Sequence, residues 1–150
     1  MQVLLFTFGS NMSSARLRER IAEAQSLGRA QLEGWRLRCN KSGMDGTAKA
    51  NIEAEQGAVV WGVVYRIPAA ALPELDVIEG GYERITVEVL DDAGDKHSCH
   101  TYTSRRLTDE PLLPNAWYKQ HILQGAAEHG LPSSYRAQLV AWPTLPQDSE

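Results

Sequence analysis

Val59-Val60-Trp61-Gly62-Val63-Val64-Tyr65-Arg66-Ile67 is the stretch on which the reading of the fold turns. β-branched and aromatic side chains lose rotamer freedom in a helix and pack well on a pleated surface, so this run is a strand. It lacks regular polar alternation, which predicts cover on both faces. Pro68 follows, suited to a first helical turn where its missing N–H costs nothing. The spacing then predicts a helix over Ala69 to Glu79, irregular at Pro73 and stopped by Gly80-Gly81. Beyond it, Ile85, Val87 and Val89 alternate with Thr86 and Glu88 as a strand. Asp91 to Asp95 forms a turn, and His97 to Ser104 returns as the second arm of a hairpin.

Upstream, Val3 to Phe8 reads as a short buried strand ended by Gly9-Ser10-Asn11. Helical spacing runs from Met12 to Gln25, with Arg16 and Arg20 one turn apart, and Gly28 closes the region. Leu32 to Cys39 alternates around Trp35 and Leu37 as a half-exposed strand. Asn40 to Gly46 is a polar loop, and a short strand follows at Ala48 to Ile52. Near the end, Asn115 to His129 reads as a helix closed by Gly130, and Ser133 to Leu139 as a shorter one. Residues 142–150, with Pro143, Pro146 and a charged end, read as a loose tail. About six strands, mostly sequence neighbours, make this α+β rather than a doubly wound sheet. No repeat or linker divides the chain, so one domain is expected over 1–150.

Composition excludes several classes of function. The chain of 150 residues has 15 Lys+Arg against 19 Asp+Glu, a formal charge of -4, with 43% hydrophobic residues. A nucleic-acid binder would show a clustered basic excess, so none is expected as a partner. Cys39 and Cys99 are too few for a disulfide scaffold or a closed zinc site, and suit a reduced, cytoplasmic setting. The apolar run at the start is too short for a membrane span or a signal-peptide core.

Three segments carry candidate chemistry. Gly9-Ser10-Asn11, between a strand and a helix, lets the backbone approach a ligand and offers N–H groups to an anion. Equally, Ser10 or Asn11 simply caps the helix. Glu79 ends the Ala69–Glu79 helix, where the macrodipole and burial beside Val77 and Ile78 raise a carboxyl toward general-base range. Asp76, three residues earlier, is placed to add like-charge repulsion, whereas an ordinary solvated helix end is the plain alternative. His97-Ser98-Cys99-His100 suggests a metal, but on a strand His100 faces away from His97 and Cys99, so no metal is expected. No nucleophile elbow, phosphate loop or dinucleotide fingerprint is present.

In order along the chain, these pieces resemble the gamma-glutamylcyclotransferase family. Phe6-Thr7-Phe8-Gly9-Ser10-Asn11-Met12 is similar to the family's Y-G-S-N loop, and Val60 to Tyr65 to its central strand. Leu75-Asp76-Val77-Ile78-Glu79-Gly80 resembles its L-D-x-x-E-G segment. Tyr118-Lys119-Gln120, Gly125-Ala126 and Gly130-Leu131-Pro132 resemble its C-terminal helical part. The resemblance implies a small mixed β-barrel with flanking helices, and conversion of a gamma-glutamyl amino acid to 5-oxoproline without a cofactor. It makes Glu79 the proton acceptor. Leu5, Phe6, Thr7, Phe8, Gly9, Ser10 and Asn11 would line the substrate site, with Tyr118 helping to close it. One departure is Phe8 in place of the usual tyrosine, which removes any hydrogen bond from that hydroxyl.

The chemistry suits so spare an inventory. The substrate's own α-amine attacks its γ-carbonyl, so neither a cofactor nor a protein nucleophile is required. Proton transfer remains for Glu79, and the N–H groups near Gly9 and Ser10 would hold either the α-carboxylate or the developing oxyanion. Two other readings stand beside it: a cyclotransferase for gamma-glutamyl amines or another gamma-glutamyl conjugate, and a non-catalytic module binding a small anion. The second is favoured if Glu79 is exposed and remote from the Gly9 loop. Either a monomer or a homodimer is compatible with the sequence.

Overall fold

The VVWGVVYRI run lies in the second half of a strand that spans Ala48–Pro68 (β3), the longest in the fold. The computed structural model describes residues 1–43, 45–104, 107 and 113–145. On one side β3 pairs antiparallel with Gln2–Thr7 (β1), and on the other with Gln25–Ser42 (β2). Glu83–Leu90 (β4) and Lys96–Thr103 (β5) form the expected hairpin. β4 meets β2 at Gln31 and Leu90, while β5 meets β1 in parallel at Leu5 and His100. Among the described residues the result is a closed mixed barrel in the order β1–β3–β2–β4–β5.

Five strands stand where about six are expected because Ala48–Ile52 and Val59–Ile67 are two ends of one strand. In the polar stretch between them Glu53 and Ala54 stay in the ladder, opposite Arg36 and Trp35, and pairing resumes at Val59 opposite Glu33. Residues 55–58 bulge out across from Gly34, with Gly57 at φ 85°, so the strand bends there without ending. Gly28 does not close a helix. It sits in β2 with φ 107°, at a register shift between Ser26 and Gly28. The expected Met12–Gln25 helix is likewise shorter: a 3-10 turn at Ser10–Met12, then Ser14–Arg20 (α1). Ile21 is already extended, and its side chain and that of Ala24 are buried, so the chain turns early to enter β2.

Leu72–Ile78 (α2) follows a 3-10 turn at Ala69–Ala71, with Pro73 in its first turn. Ala116–Glu128 (α3) is capped by Asn115, whose side chain accepts from the Tyr118 N–H, and Ser133–Val140 (α4) packs against it. Leu5, Phe6, Val60, Val63, Tyr65 and Ile67 belong to one buried core together with Met12 and Leu17 from the flanking turn and helix. Each such side chain contributes about 1.5–3 kcal/mol on leaving water. Tyr65 also makes a polar tie: its hydroxyl donates to the Met12 carbonyl at 2.9 Å, fastening the 3-10 turn to the barrel. Of the expected tail, residues 142–145 are held. Lys119 Nζ donates to the carbonyls of Val140 and Trp142, and the Leu145 N–H to Pro114 O at 3.0 Å. Residues 146–150 lie outside the described part.

Candidate active site

β1 leaves the barrel at Phe8 and turns at once into Ser10–Met12. Hydroxyls fix its last residues: Thr7 Oγ1 donates to Val63 O at 3.0 Å, and Thr101 Oγ1 to Phe6 O at 2.8 Å. The turn's own ladder begins with Met12 N–H to Gly9 O, so the N–H groups of Ser10 and Asn11 precede its first bond. Neither Ser10 nor Asn11 caps α1. Ser13 does, accepting from the Arg16 N–H, which leaves the two earlier side chains for other contacts. Gly9 is needed for closeness: a Cβ there would lie 3.2 Å from Ala50 Cβ and 3.5 Å from the Tyr118 hydroxyl.

Glu79 is the C-cap of α2, its N–H donating to Leu75 O at 2.8 Å. Its carboxylate turns toward the loop after β1. Oε1 accepts from Asn11 Nδ2 at 2.9 Å and from Arg20 Nη1 at 3.2 Å, and the side chain is only 16% exposed. Burial pushes the Glu79 carboxyl above its ordinary value, while Arg20, the Asn11 hydrogen bond, Lys41 and Arg16 pull the other way. Neither expected shield supplies that burial. Val77 and Ile78 are 80% and 40% exposed, so the cover comes from the loop and α1 instead. Asp76 is turned elsewhere, accepting from the Tyr102 hydroxyl at 2.5 Å and pairing with Arg84 at 3.0 Å.

Leu5, Phe6, Thr7, Phe8, Gly9, Ser10 and Asn11 line one cavity, open to solvent, together with Glu79 and Tyr118. Ala50, Leu75, Tyr82, Thr101 and Tyr102 complete its walls. Two of these tyrosines hold the same backbone unit: the Ala50 N–H donates to the Tyr118 oxygen at 2.8 Å, and Tyr82 donates to Ala50 O at 2.5 Å. Burial pushes the Tyr118 phenol up, so at neutral pH it keeps a hydrogen that can be donated into the cavity. Asn11 Oδ1 is buried without a protein partner. The cavity therefore offers a raised carboxylate, backbone N–H groups, hydroxyls and an apolar floor, a set able to fold a small polar substrate and move its protons.

Sequence reasoning did not find Ala50, Leu75, Tyr82, Thr101 or Tyr102 as walls. They come from β3, α2, the segment after it, and β5, and no local pattern marks them. Arg20 was partly legible, since it sits one turn after Arg16 on the helix that follows the Gly9 loop. The His97–His100 segment is spread as strand alternation requires. His97 bonds Asp91 at 2.8 Å, Cys99 is buried, and His100 lies beside Arg84. Among the described residues, no three His, Cys, Asp or Glu side chains gather to hold a metal ion. Also among them, no helix is long and apolar enough to cross a membrane.

Comparison with known proteins points in one direction. Residues 59–139 match the AIG2-like family. The chain is 32% identical over 148 residues to the gamma-glutamylcyclotransferase of Homo sapiens, covering 92% of this chain and 77% of that one. With the gamma-glutamylcyclotransferase of Mus musculus the identity is 30% over 149 residues, at 92% and 77% coverage. A solved gamma-glutamyl cyclotransferase structure superposes with a TM-score of 0.91 at 29% identity, over 100% of this chain and 93% of that one.

Proposed function

The chain belongs to the gamma-glutamylcyclotransferase family, and from that premise we propose that it converts gamma-glutamyl amino acids to 5-oxoproline and the free amino acid. The observation that carries the reading is the contact between the two candidate segments. Glu79, from the end of α2, meets Asn11, from the loop after β1, at 2.9 Å over a cavity that both line. That contact weighs against a non-catalytic anion module, which an exposed and remote carboxylate would favour.

The gamma-glutamyl part lies in the cavity, folded so that its α-amine approaches its own γ-carbonyl. Holding that geometry is worth roughly 7–11 kcal/mol in well-oriented intramolecular reactions. A free α-amino group has a pKa of about 8, so it enters mostly as the ammonium and must be deprotonated. Glu79 takes that proton. Burial makes it a stronger base than an exposed glutamate, while Arg20 and Asn11 keep its ionised form accessible. Attack forms the ring C–N bond, and the tetrahedral carbon carries an oxyanion within reach of N–H and hydroxyl donors from the Gly9–Ser10 turn and Tyr118. Glu79 then returns a proton to the departing nitrogen as the old C–N bond breaks. Two protons leave the attacking nitrogen and two end on the leaving amine, so the cycle closes without any other reactant. Phe8 lines the same cavity without a hydroxyl, so binding there relies on the backbone of Gly9 and Ser10 and on Tyr118.

All these groups come from one chain, so the site functions in a monomer or in a homodimer. The two free cysteines, Cys39 and the buried Cys99, suit a reduced cytoplasmic compartment. The decisive experiment is incubation with gamma-glutamyl-alanine while following 5-oxoproline. Wild type should form it, and Glu79→Gln should lower kcat by at least about a thousandfold with little change in substrate affinity. Retained turnover in that variant would remove Glu79 from the mechanism.

A further inference from the structure

A second cavity opens beside the first. Ser10, Glu79, Tyr82 and Tyr118 are walls of both, so a substrate reacting at Glu79 extends into each. Their charge differs sharply. Among the described residues the inner cavity has no Lys or Arg in its walls, whereas the outer one has Arg16, Arg20, Lys41 and Lys49 against a single carboxylate, Glu79. The chain as a whole carries -4, so this is a local concentration of positive charge.

Arg20 is already engaged with Glu79 at 3.2 Å. Arg16 is placed differently. Its Nε donates to Ser10 Oγ at 3.1 Å and its guanidinium lies 5.3 Å from the Trp117 ring centroid, yet among the described residues it enters no ion pair. Lys49 Nζ lies 5.4 Å from that same ring and 4.6 Å from the ring of Tyr118. Its carboxylate partner, Asp45, is an exposed residue at 3.3 Å. Burial and the like charge of Arg20 both work against the Arg16 guanidinium, and an anion beside it relieves that penalty.

We infer that this outer cavity receives the leaving group, and that Arg16, supported by Lys49, binds the carboxylate of the departing amino acid. The inference rests on the cyclotransferase reading and adds a residue to it: Arg16 is what separates gamma-glutamyl amino acids from gamma-glutamyl amines, which lack that carboxylate. Arg16 is thereby a specificity residue that touches the leaving group and takes no part in the proton transfers. Its bond to Ser10 couples the two cavities, since the same hydroxyl lines the inner one.

The test compares kcat/KM for gamma-glutamyl-alanine and gamma-glutamylethylamide. The second retains the glutamyl amine and carboxylate and lacks only the carboxylate of the leaving part. Wild type should favour the alanine compound by about tenfold or more, and added salt should reduce that ratio. Arg16→Gln should bring the ratio toward one, Arg16→Lys should restore part of it, and Lys49→Gln should lower it less than Arg16→Gln. General damage to the fold cancels in a ratio. A wild-type ratio near one overturns the inference while leaving the cyclotransferase activity standing, as does a ratio that neither neutral variant moves. Failure of both compounds to yield 5-oxoproline overturns the cyclotransferase reading, and the inference with it.

Discussion

At Glu79, stability and the proposed proton transfer make opposite demands on one carboxyl. An unfolded glutamate titrates near 4.5, and burial raises the folded value above that. Above the folded value, the native state holds a desolvated carboxylate that the unfolded chain would hydrate, so ionisation favours unfolding. Below the unfolded value both states are protonated and the penalty vanishes. Glu79→Gln is neutral throughout, so thermal unfolding should give it a higher Tm than wild type at about pH 8 and no advantage near pH 3.5. A lower Tm at pH 8 would show that Arg20 and Asn11 outweigh burial. Arg20 offers a second measurement. It favours the ionised carboxylate, so Arg20→Gln should raise the Glu79 pKa and move the acid limb of the kcat/KM profile to higher pH. Glu79 was legible in the sequence as a candidate from Leu75-Asp76-Val77-Ile78-Glu79-Gly80. Its environment was not, because Asn11 and Arg20 lie 68 and 59 residues away.

Packing between elements decides where the loop after β1 sits. Gly125 on α3 lies directly against that loop: a Cβ there would fall 2.4 Å from the Met12 carbonyl carbon and 2.5 Å from Ser13 N. Those are backbone atoms that cannot rotate away, so Gly125→Ala must push α3 from the turn. Chemical denaturation should show a loss of about 1–3 kcal/mol, and KM for gamma-glutamyl-alanine should rise as the loop moves. Unchanged stability and KM would mean that α3 slides without disturbing the site. Helix α3 itself was readable from its Asn115 cap and its closing Gly130, since both act over a few residues. The length of β3 was not readable. Residues 53–58 carry no strand pattern; pairing with β2 on either side, up to Ala54 and again from Val59, carries β3 across the bulge at 55–58. For the same reason α1 ends earlier than its spacing suggests: burial of Ile21 and Ala24 overrides local helix preference.

At the scale of the whole molecule, the site depends on closing the barrel. β1 meets β5 in parallel at Leu5 and His100, and the buried Thr101 hydroxyl donates to Phe6 O across 95 residues of chain. Thr101→Val keeps the shape and leaves that carbonyl without its donor. It should therefore cost about 1–3 kcal/mol in denaturant unfolding, with the denaturant slope unchanged. A cost near zero would mean that water or a neighbouring hydroxyl replaces the bond. Closure also joins the two halves of the site, bringing the end of β1 beside Tyr102 and the end of α2. The sequence by itself determined the order of elements, the α+β class, and the two segments that meet at the site. It could do so because strand and helix periodicity, caps and turn glycines act over a few residues. Only the tertiary structure decided that two predicted strands are one, and that Ser13 rather than Ser10 caps α1. The burial of Glu79 under the Asn11 loop and the four cations beside it were decided there too. Each depends on contacts between residues far apart in the chain, whose geometry exists only once the barrel has closed.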